Sequence, residues 1–237
     1  MRTPGRAAAR LLARGWWWLL DYRYAAWWQL HGLLFRADPS PYLQAPRGNR
    51  PVLLIPGVYE NWQFMHRIAR RLHEAGYPVH VVKPLGYNRG ELGRMAALVA
   101  GYLQEADLRE VTIVAHSKGG LVGKRAMILP ASAGRIRHMV AVNTPFSGSV
   151  YARLFLVPSI RAFSPRDRSL RALAADLSVN HRITSVYSAF DPHIPGGSHL
   201  PGARNIRLEA AGHFRVLDDA RLPGILLRVL AGPAAPD

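Results

Sequence analysis

From Pro51 onward the chain alternates short, unbroken apolar runs with longer stretches whose apolar residues recur every three or four positions. The runs PVLLIPG (51–57), VHVVKP (79–84), VTIVAHS (111–117), HMVAVNTP (138–145), ITSVYSAF (183–190) and NIRLEAA (205–211) read as strands. A strand covered on both faces has no polar side to show, so it reads as a continuous apolar run. Between them, Asn61–Ala75, Leu92–Gln104 and Gly120–Leu129 carry helical periodicity, the first with Trp62, Met65, Ile68, Ala69 and Leu72 on one side and Gly76 at its end. A last helix is expected over Phe214–Leu230. Strands alternating with helices of this length imply right-handed crossovers and an α/β architecture: a mostly parallel sheet of about six strands with helices on both faces. Between the fourth and fifth strands lies a long segment with apolar patches and no sheet-like run. It is expected to be a helical insertion over about 148–180.

The first 38 residues differ from everything after them, and they are expected to form a separate helical segment, with one domain over 39–237. Five of the six tryptophans lie here. On a helix, Arg2, Arg6, Arg10 and Arg14 form a basic stripe, and Leu12, Trp16, Leu19, Trp27, Leu30 and Leu34 an apolar one. Asp38-Pro39 and Ser40-Pro41 stop the helix. The apolar run Trp16–Leu20 is broken by Asp21 and Arg23, too short for a signal peptide and far below the about 20 residues of a membrane span. Two readings stand, and both can hold for opposite faces of the helix: the segment lies at an anionic membrane surface, for which tryptophan with arginine is suited, or it packs its aromatic face on the protein's own core. The expected location is cytoplasmic, with or without peripheral membrane contact.

Composition changes this picture little. The chain has 237 residues, is 49% hydrophobic and has no cysteine, so it fits a globular core without disulfides or thiolate metal sites. The formal charge is +16, carried almost wholly by scattered arginines, since Lys83, Lys118 and Lys124 are the only lysines. No groove-reading motif accompanies the charge, so no nucleic-acid partner is expected, and an anionic lipid surface suits it better. No cluster of histidines and carboxylates has ligand spacing, so neither metal nor cofactor is expected.

One stretch calls for a chemical explanation. VTIVAHSKGG (111–120) passes from strand to helix with a serine wedged between two basic residues and two glycines close behind. A nucleophilic serine needs an exposed oxygen, a base, and backbone N–H donors for developing charge; a sharp strand-to-helix turn supplies exposure and a helix N-terminus together. Such a turn is crowded, so the residues two before and two after the serine must be small. Ala115 and Gly119 are, with Ser117 at the tip.

Together with TPFSGS (144–149), which resembles the T-P-x-x-G-S segment after the next strand of many lipases, AHSKGG makes the region from Pro51 to Leu230 resemble the α/β-hydrolase superfamily and its lipase-like members. The resemblance implies a compact α/β-hydrolase fold and the chain order serine, acid, histidine. Of Asp167, Asp176, Asp191, Asp218 and Asp219, only Asp191 directly follows an expected strand; His213 follows the last strand, while His193 and His199 flank the acid on a different loop. Ser117, Asp191 and His213 are therefore the implied triad. The oxyanion donors are expected to be the N–H groups of Lys118 and of Val58, in IPGVYEN. There the chain has Pro56-Gly57 where lipase-like members carry His-Gly. Tyr59 could line the same mouth with its hydroxyl as an extra donor. His116 is expected to pack inward, and the Lys118 side chain to reach into solvent or attract an anionic head group.

Where the family places its cap, the insertion carries Leu154, Phe155 and Phe163, and with Phe146 these are the expected acyl-chain contacts. The implied activity is a carboxylic-ester hydrolase acting on lipophilic esters through an acyl-Ser117. Two alternatives stay open, an acyltransferase or thioesterase with the same triad and a non-catalytic membrane-associated binding protein. The sequence does not fix the oligomeric state.

Overall fold

The computed structural model describes residues 4–45, 48–154 and 157–232. A long helix, α1 (Pro4–Leu34), precedes an alternating series: β1 (Val52–Ile55), α2 (His66–Glu74), β2 (Val79–Val81), α3 (Leu92–Glu105), β3 (Val111–His116), α4 (Lys118–Ile128) and β4 (Ile136–Val142). The insertion holds two short helices, α5 (Pro158–Arg161) and α6 (Arg168–Ala175). Then come β5 (Ile183–Phe190), β6 (Arg204–Ala211) and α7 (Leu222–Ala231).

All six strands are parallel, in the order β2-β1-β3-β4-β5-β6. The apolar runs form strands because both faces of the sheet are covered. Leu53, Ile55, Ile113 and Met139 point to a layer built with Met95, Val99, Leu121 and Val122 of α3 and α4. The alternate residues Val52, Leu54, Val114 and Val140 meet Ile68 and Leu72 of α2 and Ile225 and Leu226 of α7. Strand order reverses beside β1, whose neighbours are β2 and β3, so a crevice opens at the carboxyl ends of β1 and β3. Ligands of open parallel sheets settle in such crevices.

Two expected helices are shorter than their sequence periodicity suggests. The segment after β1 begins as a 3₁₀ turn, Trp62–Met65, capped by the Asn61 side chain, and becomes α-helical only at His66. The last helix is split into a 3₁₀ turn, Arg215–Asp218, and α7. Pro223 lacks the N–H that a continuous helix would need and instead occupies the first turn of a new one.

The N-terminal helix shows a different face from the one its tryptophans suggest. Asp21, Trp28 and Gly32 are buried against the domain, and the packing is close: a Cβ on Gly32 would lie 2.6 Å from the Asn61 side chain. Arg67 stacks over Trp28. The stripe of Trp16, Leu19, Trp27, Leu30 and Leu34 faces outward, so it is the opposite face, with Trp28, that packs on the core. Of the remaining stripe residues, Arg2 and the side chains of Arg6, Arg10 and Leu12 lie outside the described residues.

Candidate active site

The turn from β3 into α4 puts Ser117 at the carboxyl edge of the sheet with φ 50° and ψ −121°. This strained geometry for a non-glycine residue is held by neighbours that tolerate no alternative. The Ser117 N–H donates to the Val142 carbonyl at 2.9 Å. A Cβ on Gly119 would sit 2.1 Å from the Ile55 carbonyl oxygen, so α4 can approach β1 only through a glycine.

The loops after β5 and β6 bring two further side chains to this point. His213 Nε2 lies 2.9 Å from Ser117 Oγ, and His213 Nδ1 lies 2.8 Å from Asp191 Oδ2. An ionised carboxylate only accepts, so Nδ1 carries the proton and Nε2 faces the serine hydroxyl ready to receive one. The other oxygen of Asp191 accepts the N–H groups of His193 and Ile194 at 2.8 and 3.1 Å. Burial would raise the Asp191 pKa, but the charge and hydrogen bond of His213 win and hold it below the usual carboxylate range. Burial likewise disfavours a charged His213, yet Asp191, with help from Glu60 and Asp21, lifts its pKa above the ordinary histidine value.

The main chain of His213 is fixed from both ends by residues with no obvious sequence signal. Its N–H donates to Asp21 Oδ2 at 2.8 Å, and Asp21 Oδ1 accepts the N–H groups of Phe214 and Arg215, both at 2.9 Å. Asp21 reads along the chain as a break in an apolar run; folded, it is fully buried and ties α1 to the His213 turn. Gly212 admits it, since a Cβ there would lie 2.4 Å from Asp21 Oδ1, and its φ of +117° suits glycine. The His213 carbonyl accepts from Asn143 Nδ2 and from His116 Nε2, each at 3.0 Å. His116 packs inward, and its Nδ1 lies 2.9 Å from both oxygens of buried Glu60.

Glu60 also accepts the Gly57 N–H at 2.8 Å, and the Tyr59 N–H donates to the Tyr87 carbonyl at 2.8 Å. The N–H between them, that of Val58, has no protein acceptor among the described residues, and neither has that of Lys118. These two stand on the turns that follow β1 and β3, on either side of the crevice where strand order reverses.

Several expected side-chain positions are corrected. The Lys118 side chain is buried, with Nζ donating to the carbonyls of Asn88 and Gly90 at 2.8 and 2.6 Å, and burial pulls its pKa down to about 8. It latches the loop before α3 instead of reaching into solvent. Tyr59 lines the cavity, but its hydroxyl is engaged with Ser159 Oγ at 2.8 Å. Phe146 is packed in the core beneath the site and lines no cavity there. Phe163 lines the cavity, whereas the side chain of Leu154 and all of Phe155 lie outside the described residues. His193 stacks on the His213 ring, with centroids 4.7 Å apart, and burial lowers its pKa to about 4, so it stays neutral beside the triad.

Ser117 and His213 open into a cavity of about 570 Å³. Its walls are largely apolar: Trp18 and Tyr22 of α1, Val58, Ile160 and Phe163 of the insertion, and Phe214. The helix that holds the His213 turn thus also forms part of the cavity wall.

No protein-family model and no curated protein matches the chain. Solved structures do. Aspergillus fumigatus lipase B aligns with a TM-score of 0.69 at 18% identity, over 81% of this chain and 55% of that one. A Bacillus licheniformis lipase in mature form gives 0.60 at 15% identity, over 78% and 94%. A bromoperoxidase from Bacillus anthracis gives 0.54 at 16%, over 78% and 92%. At this identity the likeness is one of fold: the chain has the α/β-hydrolase fold. That fold hosts more than one reaction, so chemistry has to be argued from the site.

Proposed function

We propose that the protein is a serine hydrolase that cleaves lipophilic carboxylic esters through an acyl-Ser117 intermediate. The reading rests on one observation above others: an unbroken relay from Ser117 Oγ through His213 to Asp191, at 2.9 and 2.8 Å, facing an apolar cavity. In this mechanism His213 Nε2 takes the serine proton as Oγ attacks the ester carbonyl carbon. Asp191 keeps the proton on Nδ1 and stabilises the imidazolium. The oxyanion is received by the N–H groups of Val58 and Lys118, which have no other acceptor among the described residues. The imidazolium then protonates the departing alkoxide. Water, deprotonated by the same imidazole, attacks the acyl carbonyl, and collapse of that intermediate returns the proton to Oγ and releases the acid.

Substrate class follows from the cavity walls. Aromatic and aliphatic side chains dominate them, and the one carboxylate among the described lining residues, Glu60, is already engaged by His116 and the Gly57 N–H, which favours a neutral ester with an apolar acyl chain. The test is a fluorophosphonate probe together with hydrolysis of p-nitrophenyl acyl esters. Wild-type protein is expected to take up the probe at Ser117 and to release p-nitrophenol, and Ser117→Ala to do neither. Equal hydrolysis by folded Ser117→Ala would overturn the assignment.

A further inference from the structure

α1 presents three faces with three different characters. One is buried on the domain through Asp21, Trp28 and Gly32, and a second gives Trp18, Tyr22, Ala25 and Gln29 to the cavity wall. The third, opposite the first, carries Trp16, Leu19, Trp27, Leu30 and Leu34, with Arg23 as its single charge and Ala26 between. Their exposures are high for such side chains: 58% for Trp16, 62% for Trp27 and 62% for Leu34. An ordinary surface helix turns its polar residues outward; this one turns outward an apolar stripe about five turns long. On the insertion side of the same cavity, Val150, Tyr151 and Val157 are exposed as well, and Tyr151 lines the opening.

The geometry points to this face as a docking surface for an anionic lipid bilayer, with α1 lying in the interface plane and the cavity mouth turned to the lipid. Three observations select lipid over a second copy of the chain. The net charge of +16 makes two copies repel and draws the chain to an anionic surface. In a two-fold contact along the stripe, Arg23 at its centre would face its own copy, whereas at a bilayer its long stem can lie along the apolar layer and its head among phosphates. Exposed tryptophans pair an apolar ring with an N–H that suits the headgroup level. Spanning is excluded for α1, because no described helix is long and apolar enough to cross a membrane. The surface is inferred independently of ester hydrolysis, and each can fail without the other.

The test is co-sedimentation of the full chain with vesicles of phosphatidylcholine alone and of phosphatidylcholine with phosphatidylserine. Wild-type protein is expected to pellet with the anionic vesicles, less so at high salt. The variant Trp16→Ser, Trp27→Ser, Leu30→Ser is expected to bind more than about a hundredfold more weakly, because three large apolar anchors are lost. The substituted side chains are exposed, so its circular dichroism should match that of wild type. Should that variant misfold, quenching of tryptophan emission by acyl-brominated lipid reads the same contact in the unaltered chain. Absence of both pelleting and quenching overturns the inference, as does equal binding to neutral vesicles. So does a dimer in buffer that the triple substitution makes monomeric while vesicle binding is absent.

Discussion

Asp21→Asn is the perturbation that best isolates how α1 serves the site. The carboxylate is fully buried and accepts three backbone N–H groups, of His213, Phe214 and Arg215, at 2.8 to 2.9 Å. A hydrogen bond to a charged acceptor contributes about 1.5–3 kcal/mol, a neutral one about 1 kcal/mol, and an unsatisfied buried donor costs about 1–3 kcal/mol. In the variant, the carbonyl oxygen of the introduced amide can retain the two bonds that Asp21 Oδ1 makes, each weakened by roughly 1 kcal/mol, while the amide NH₂ opposes the His213 N–H. Against this loss stands the desolvation that a neutral amide escapes, so the net destabilisation is expected at about 2–4 kcal/mol. Unfolding in urea, followed by tryptophan emission, measures it. The second readout concerns the imidazole. Asp21 is one of the charges holding the His213 pKa up, so removing that charge lowers it. Since His213 must be neutral to accept the serine proton, the acid limb of kcat/KM against pH should move to lower pH. Above the limb, kcat should fall by about ten- to a hundredfold as the ring loses its placement. A lowered urea midpoint with an unmoved limb and an unchanged kcat would mean that Asp21 merely staples α1 to the domain. The electrostatic reasoning would then be wrong.

Asp191→Asn should leave the fold intact and lower kcat by about 10⁴-fold by removing the acceptor that keeps the Nδ1 proton in place, measurable with a soluble p-nitrophenyl ester. Gly119→Ala should fail to accumulate as folded protein or lose several degrees of melting temperature, because its Cβ would stand 2.1 Å from the Ile55 carbonyl oxygen; a melting curve within a degree or so of wild type would contradict the close packing. Lys124 is fully buried, its Nζ has no partner among the described residues, and burial lowers its pKa to about 8, so Lys124→Met should stabilise the protein by about 1–3 kcal/mol at pH 7. The sign with pH follows: between about 8 and the unfolded lysine value the unfolded chain holds the extra proton. Wild-type stability therefore climbs through that window, and the advantage of the variant shrinks.

What the chain discloses locally and what it withholds divide along a physical line. Strands covered on both faces leave unbroken apolar runs, and ITSVYSAF coincides with β5, Ile183–Phe190, to the residue. The serine turn is equally legible, because crowding at Gly119 is imposed by the adjacent strand β1, whose own run is plain. Asp191 and His213 stand at the ends of β5 and β6, and parallel topology delivers all such ends to one rim. Side chains whose partners lie far along the chain leave no such trace. The Lys118 ammonium looks solvated until the carbonyls of Asn88 and Gly90 come up to it, and Glu60 has no mark of its own until His116, 56 positions on, faces it. Asp21 is the extreme case. The N–H groups it accepts are 192 to 194 positions away, and within its own helix it registers only as an interruption.

That interruption explains why the tryptophan stripe was open to two readings. A helix that packs through apolar contact alone must bury its apolar stripe. One anchored by a buried carboxylate on three backbone donors, a glycine against Asn61 and a single tryptophan under Arg67 has its attachment elsewhere, and its apolar stripe can face outward. Attachment through Asp21 also means that the element carrying the outward stripe is bonded directly to the turn bearing His213. Whatever covers that stripe therefore acts on a helix one hydrogen bond removed from the proposed base. Occupancy of the outer face and the geometry of the relay are thus mechanically linked through Asp21, beside the contacts of Trp18 and Tyr22 with His193, and Asp21→Asn would weaken that link without touching either surface.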